Sequence, residues 1–369
     1  MYIAIAPIYS YGSIVFILLD DGIIAGMKML MAARFAIVAA LVTNACSTYG
    51  PYLDKGPEAV WGINAPPTFS STSAPTTVKF LVLADIHGYA HKALVTDESV
   101  LAIHNIWWGK KQDTEFANTA RIMDSLDGES TLDFVVLPGD LTVDGEKASH
   151  IMLAALLERH RSSGRPVFVV PGNHDVNSPQ ARRHDVAGTR ATESVSPSEF
   201  AGIYARFGYA DALSRDSISL SYVAEPVPGI ALVVLDTARW YDNMFFPLRL
   251  SETGGSVRQE TIVWIESVLS AAKTADKLII AVQHHPPGMR GSLTRSSLKN
   301  AAALLDLYEQ YGVAFIVSGH KHRFSVDFSA AIPRISVPSI ARGPDKATIV
   351  EYGPYGVWAM IDQVRLSGE

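Results

Sequence analysis

Five short groups of oxygen- and imidazole-bearing residues run in order along this chain: Asp85-x-His87, Gly139-Asp140, Gly172-Asn173-His174-Asp175, His284-His285-Pro286 and Gly319-His320-Lys321-His322. Six of the eleven histidines fall inside them. Mixed carboxylate, amide and imidazole donors suit hard-to-borderline divalent ions, and a site for two ions needs such donors from several segments. Alone, Asp85-x-His87 reads more readily as a loop aspartate beside a surface histidine. Gly172-Asn173-His174-Asp175 alone reads equally as a plain turn. All five in this order point to one metal site.

Most of the groups close an apolar run. Residues 78–84 precede Asp85, 134–137 precede Gly139, 167–170 precede Gly172, 278–282 precede His284, and 315–317 precede Gly319. Runs this short and continuous read as strands buried on both faces. Gly139 lets the backbone turn sharply and bring the Asp140 carboxylate forward. A carboxylate between two cations offsets their repulsion, and Asp140 is the residue for that bridge. Asp133 is assigned to the start of its strand and Asp144 to the turn that follows. Asn173 can offer a neutral oxygen. His174 beside it would face substrate, with Asp175 positioned to accept its hydrogen bond and fix its tautomer. His320 and His322, one residue apart, can reach different ions.

The spacing of apolar residues predicts helices at 115–126, 146–160, 197–207, 259–272 and 297–311. It predicts strands at 133–137, 166–170, 218–223, 230–235, 277–283 and 313–317, then shorter ones at 323–328, 332–337, 346–351 and 356–362. That alternation predicts an α/β (α+β) domain of two packed sheets with helices outside. Strand ends feeding site loops is the usual arrangement in such layouts.

A chain of 369 residues, 48% hydrophobic, can bury a large core, and one domain over 77–369 is expected. Its net charge of −6 argues against electrostatic capture of nucleic acid. An acidic protein can still take a small anionic phosphate ester if bound metal ions supply the local positive charge. Cys46 is the single cysteine, so no intrachain disulfide forms.

Residues 1–46 read as an export segment, with translation expected to start at Met27. Lys28 and Arg34 precede an apolar stretch at 35–42 and then Thr43-Asn44-Ala45-Cys46. Cleavage after Ala45 fits ordinary signal peptidase. It also leaves Cys46 at the new terminus, similar to a lipid-anchored lipoprotein, although Thr43 and Asn44 depart from the usual lipobox. A periplasmic or cell-envelope location follows. Residues 47–76, rich in Pro, Gly, Ser and Thr, read as a linker.

The order and content of the five groups resemble the calcineurin-like metallophosphoesterases, dinuclear-metal hydrolases of phosphate esters. The resemblance covers about residues 78–322 and implies a four-layer α/β/β/α sandwich of two packed mixed sheets flanked by helices. It implies one ion on Asp85, His87, Asp140 and His322, and a second on Asp140, Asn173, His284 and His320, with His285 behind them. Such donors accept Mn, Fe, Zn or Co. The implied reaction is in-line attack on phosphorus by a hydroxide held between the ions, with His174 protonating or orienting the leaving alkoxide.

Three branches fit poorly. Val143 stands where purple acid phosphatases carry a ligating tyrosine. Gly139-Asp140-Leu141-Thr142-Val143-Asp144-Gly145 lacks the arginine of the Ser/Thr protein phosphatases. Asn173-His174-Asp175-Val176-Asn177 differs from the 5′-nucleotidase pattern. The sequence is most similar to an exported bacterial branch that includes cyclic-nucleotide and glycerophosphodiester phosphodiesterases. A phosphodiesterase is therefore expected, the alternatives being a phosphomonoesterase or a non-catalytic exported metal-binding protein.

Substrate choice is expected in the insertions. Residues 88–114 carry His91, His104, Trp107-Trp108 and Lys110-Lys111, and residues 238–250 carry Trp240-Tyr241 and Phe245-Phe246. Each aromatic pair either stacks on substrate or anchors its loop to the core. Arg290 either contacts phosphate or is a solvated surface arginine.

Overall fold

The computed structural model describes residues 4–10, 13–19, 65–90, 115–126, 132–161, 164–185, 188–244, 250–288, 298–342 and 346–363. The chain divides into two compact units, Met1–Gly56 and Pro57–Glu369. In the first, β1 (Ala4–Ser10) and β2 (Ser13–Leu19) pair antiparallel, Ala4 opposite Leu19. The stretch read as an export signal, 27–46, lies outside the described residues.

The second unit is built on two sheets. β3 (Val78–Val82), β4 (Phe134–Pro138) and β5 (Val167–Val170) run parallel, and Leu81 pairs with Val135 and Pro138 with Val170. β15 (Lys346–Gly353) and β16 (Gly356–Gln363) complete this sheet, in the order β16-β15-β3-β4-β5. Its core strands are buried along their length because Val, Phe and Leu occupy both faces.

The other sheet centres on β10 (Ile230–Leu235), β11 (Leu278–Gln283) and β12 (Phe315–Ser318), also parallel, with Leu235 opposite Gln283 and Gln283 opposite Ser318. β8 (Ser214–Arg215) and β9 (Tyr222–Ala224) lie on one side. β13 (Ser325–Asp327) and β14 (Arg334–Ser336) lie on the other. A small hairpin, β6 (Arg182–Asp185) with β7 (Gly188–Ala191), stands apart from both sheets.

Alternation along β10 and β11 decides the layering. Ile230, Leu232, Val234, Ile280 and Val282, with Phe315 of the same sheet, share one core with Phe80 and Phe134 of the facing sheet. Their neighbours Ala231, Val233, Leu235, Ile279 and Ala281 pack instead with Ile265, Val268 and Leu269 of α4 (Gln259–Thr274) and with Leu304 and Leu305 of α5 (Ala301–Tyr311). Helices α1 (Glu115–Leu126) and α2 (Lys147–Arg161) bring Ile122, Met123, Leu153 and Leu157 to the first sheet. The result is the expected α/β/β/α sandwich, with apolar side chains filling the space between the sheets.

Two elements depart from the periodicity. Helix α3 (Pro197–Ile203) opens on a Ser196–Glu199 capping box and ends early, in a wide turn over Ala205–Tyr209 where Gly208 takes φ 114°. The strand expected at 218–223 reduces to β9, because Asp216 bonds the Ile218 amide and the Ser219 hydroxyl and curls 216–221 into a turn. Nor are residues 65–76 a bare linker. Phe69 packs on the outer core, and the buried Lys277 ammonium binds the Ser70 carbonyl at 2.7 Å, the Thr72 carbonyl and Glu225 Oε1 at 3.0 Å.

Candidate metal centre

All five groups follow the carboxyl ends of parallel strands, three in the first sheet and two in the second, where an open α/β fold presents its site. Backbone bonds carry the β3–β4 ladder into the loops beyond: Asp85 N to Gly139 O, His87 N to Asp140 O and Gly88 N to Leu141 O, at 3.0–3.1 Å. From the second sheet, Gly319 N donates to His284 O at 3.1 Å. Backbone bonds thereby fix the β3 loop to the β4 loop and the β11 loop to the β12 loop.

The site loops are locally strained. Asp85, His87, Asp140, His320 and His322 all have positive φ, between 48° and 68°. For residues with a Cβ, such a conformation costs on the order of 1–3 kcal/mol and persists only where the surroundings over-determine it. Gly139 (φ 86°) and Gly172 permit the close approach of the β4 and β5 loops. A Cβ on Gly139 would lie 2.6 Å from Gly172 N, and one on Gly172 would lie 2.2 Å from Asp140 Oδ1.

Donor atoms converge. One atom each from Asp85, His87, Asp140 and His322 lies within 4.8 Å of the others. His87 Nε2 is 3.1 Å from His322 Nε2, and His322 Nε2 is 3.2 Å from Asp85 Oδ1. Asp140 Oδ2 lies 3.8 Å from His87 Nε2 and 3.3 Å from His284 Nε2, so it faces both halves of the site. Asn173 Oδ1 is 3.2 Å from His284 Nε2. Lone pairs from carboxylates, an amide oxygen and several imidazoles aimed at one another fit a cation's coordination sphere.

Imidazole tautomers agree with that reading. His284 Nδ1 donates to the Pro138 carbonyl at 2.8 Å, which leaves Nε2 as the lone-pair nitrogen on the site side. His285 falls within 4.8 Å of His284 and His320 by its ring atoms. Yet both its nitrogens are engaged: Nε2 donates to Thr253 O at 3.3 Å and Nδ1 contacts Thr237 Oγ1 at 2.9 Å. His285 is therefore a support for its neighbours, and Thr237 and Thr253, which hold it, have no signature in the sequence.

Charge is unevenly shared. Burial works against ionised Asp140, but His284 and His174 hold it well below the usual carboxylate range. Burial also opposes charge on His284, and Asp140 together with Asp85 and the Pro138 carbonyl raises it to about 9. Burial lowers His320, to about 3 with the help of charged His284. It lowers His87 well below its ordinary value despite Asp140.

His174 is the point where the sequence reading needs correction. Its Nδ1 meets Asp144 Oδ1 at 3.2 Å, not Asp175. Asp175 is fully buried and turned the other way, accepting from the backbone N–H of Leu141, Thr142 and Gly172 and from Thr142 Oγ1 at 2.8–3.1 Å. His150, buried on α2, donates to the Asp175 carbonyl at 2.9 Å and takes the Tyr204 hydroxyl on its other nitrogen. Asp175 thus ties the β4 loop to the β5 loop, and Asp144 holds the histidine. Burial opposes charge on His174, but Asp140 and the Asp144 contact raise it to about 10.

Trp240 is a loop anchor: it is buried, and its Nε1 donates to Asp236 at 3.0 Å. Tyr241 is 37% exposed, with the Arg258 guanidinium 3.8 Å over its ring. Residues 91–114, Phe245, Phe246 and Arg290 lie outside the described residues.

The calcineurin-like phosphoesterase family model matches residues 78–324, and the chain belongs to that family of phosphoric ester hydrolases. No curated protein matches it. Among solved structures it is similar to a dimetal phosphatase from Danio rerio, at 14% identity and TM-score 0.49, covering 77% of this chain and 98% of that one. It is also similar to GAP50, the anchor in the inner membrane complex of Plasmodium, at 16% identity and TM-score 0.46, covering 80% and 87%. Likeness of that degree carries no functional information.

Proposed function

We propose that this chain hydrolyses phosphodiesters at a pair of divalent transition-metal ions, one held by Asp85, His87, Asp140 and His322, the other by Asp140, Asn173, His284 and His320. The observation that carries the reading is the position of Asp140 Oδ2, within 3.8 Å of His87 Nε2 and 3.3 Å of His284 Nε2. Bound there, two such ions supply Lewis acidity and a nucleophilic water near neutral pH.

The chain's own residues do the rest. Asp140 Oδ1 accepts the His174 N–H at 3.1 Å, which fixes the carboxylate and leaves Oδ2 toward both halves of the site. Asp144 takes the Nδ1–H of His174, so Nε2 is the nitrogen left to give a proton to the leaving oxygen. Asp85 is fixed by the His320 N–H, which reaches both its oxygens at 3.0–3.1 Å.

Preference for a diester rests on the resemblance of the five groups to the phosphodiesterase branch, and a phosphomonoesterase is the second reading. Export, with Cys46 as a lipid-bearing terminus, is proposed from residues 27–46 alone. The test compares bis(p-nitrophenyl) phosphate with p-nitrophenyl phosphate, with Mn²⁺ and after chelation. Faster metal-dependent cleavage of the diester supports the reading; faster cleavage of the monoester favours the second, and cleavage of neither removes both.

A further inference from the structure

A second buried acid, Glu146, lies next to the pair formed by His174 and Asp144. Glu146 is 1% exposed, although it immediately precedes helix α2, where a side chain can readily reach water. Its carboxyl turns back instead: Oε2 accepts the Asp144 N–H at 3.2 Å. The Glu146 backbone is fixed as well, with its carbonyl accepting from Ser149 N and His150 N at 2.9 and 3.1 Å and its strand-like bridge to Ser194. Burial first, then the Asp144 carboxylate, pushes Glu146 up to about 8, against the backbone N–H groups of Glu146, Asp144 and Arg182. A neutral acid at this point can sit beside Asp144 without expelling it.

The chain Glu146, Asp144, His174 is continuous: carboxyl to backbone N–H, then carboxylate to imidazole Nδ1 at 3.2 Å. Gly145 N donates to Thr142 Oγ1 at 3.1 Å, closing the same turn from its other side. Removing the Glu146 carboxyl frees the Asp144 amide and loosens the carboxylate that meets His174 Nδ1. The Glu146 carboxyl is bonded to the Asp144 amide, not to the donors named above.

We infer that Glu146 is a positioning residue for proton delivery to the leaving group, acting on His174 through Asp144. This rests on the phosphoesterase reading above, and its signature is a dependence on the leaving group. An alkyl phosphate ester needs its departing oxygen protonated, whereas p-nitrophenolate leaves without much help. A residue that only stabilises the fold would affect both substrates alike.

The experiment measures kcat on a methyl p-nitrophenyl diester and on a dialkyl diester with the metal-loaded protein, alongside metal content. Glu146→Ala should lower kcat for the dialkyl ester by about tenfold to a hundredfold, as loss of an orienting partner does elsewhere. It should lower the nitrophenyl rate by less than about threefold, since that leaving group needs little proton donation. Metal content should not change. Glu146→Gln, which keeps an acceptor oxygen for the Asp144 amide, should recover most of the loss. In an Asp144→Asn background Glu146→Ala should add little, because the two act in one chain. Equal losses on both esters, loss of metal, a Gln variant as slow as the Ala variant, or full additivity with Asp144→Asn would each overturn the inference. If the Ala variant does not fold, Glu146→Met, which fills the space but offers the Asp144 amide no acceptor oxygen, takes its place with the same expected and overturning results. A wild-type protein inert to both esters would instead remove the phosphoesterase reading itself.

Discussion

His174 Nδ1 lies 3.2 Å from Asp144 Oδ1, and that contact determines which ring nitrogen remains for chemistry. The histidine is adjacent in sequence to Asn173, whose amide oxygen faces His284. One turn therefore presents a candidate ligand and a candidate acid side by side. The partner that orients the acid comes from a different strand loop.

His174→Ala should keep both metals yet lose turnover by roughly two to four orders of magnitude, most with poor leaving groups. Metal analysis beside steady-state rates on alkyl and nitrophenyl esters checks it. Unchanged rates would remove His174 from the mechanism.

Asp140→Ala should lose metal as well as activity, because Oδ2 is the one carboxylate oxygen near both His87 and His284 among the described residues. Two equivalents retained after gel filtration of that variant would refute the shared role.

His285→Ala should weaken metal binding by about tenfold to a hundredfold without abolishing it, as expected of a group that orients ligands. Titration with Mn²⁺ followed by activity distinguishes this from loss of a ligand, which would leave no saturable response.

Asp175→Ala should chiefly unfold the protein. It leaves three buried backbone N–H groups without acceptors, a loss on the order of 3 kcal/mol or more. A thermal melt reads this directly. A variant of wild-type stability but poor turnover would restore the catalytic role that the sequence suggested for Asp175.

Stability should fall at acid pH through Glu225. Burial works against its ionised form, but Ser70, Gly229 and Lys277 lower it from 4.5 to about 2. A depressed carboxylate contributes stability that is complete above pH 4.5 and is lost as pH falls through about 2. Hydrogen exchange across residues 69–74 should therefore rise in that window, and Glu225→Gln should show the rise already at neutral pH. Exchange insensitive to both would show that the Glu225 contacts do not hold this segment.

Much of the site was readable before any coordinates. Asp85, Asp140, Asn173, His284, His320 and His322 each close an apolar run, and a buried strand end leaves little choice about where its next residues emerge. The core strands and helices α1, α2, α4 and α5 follow from the same patterning, within a few residues at their ends. The partner of His174 was not readable. Asp144 and Asp175 are equally plausible by type, and only the path of the β4 loop turns Asp175 inward. The anchoring of Ser70 by Glu225 and Lys277 was hidden because both lie more than 150 residues away in sequence. The end of α3 depends on Gly208, where a Cβ would lie 2.2 Å from the Tyr222 hydroxyl, and no local pattern reveals that contact.

Anomalous diffraction from crystals grown with Mn²⁺ tests the central claim most directly. Two peaks about 3.5–4 Å apart, with Asp140 between them, are the predicted result. Manganese bound elsewhere, or a single ion that leaves either Asp85 or His284 without a metal contact, would contradict it.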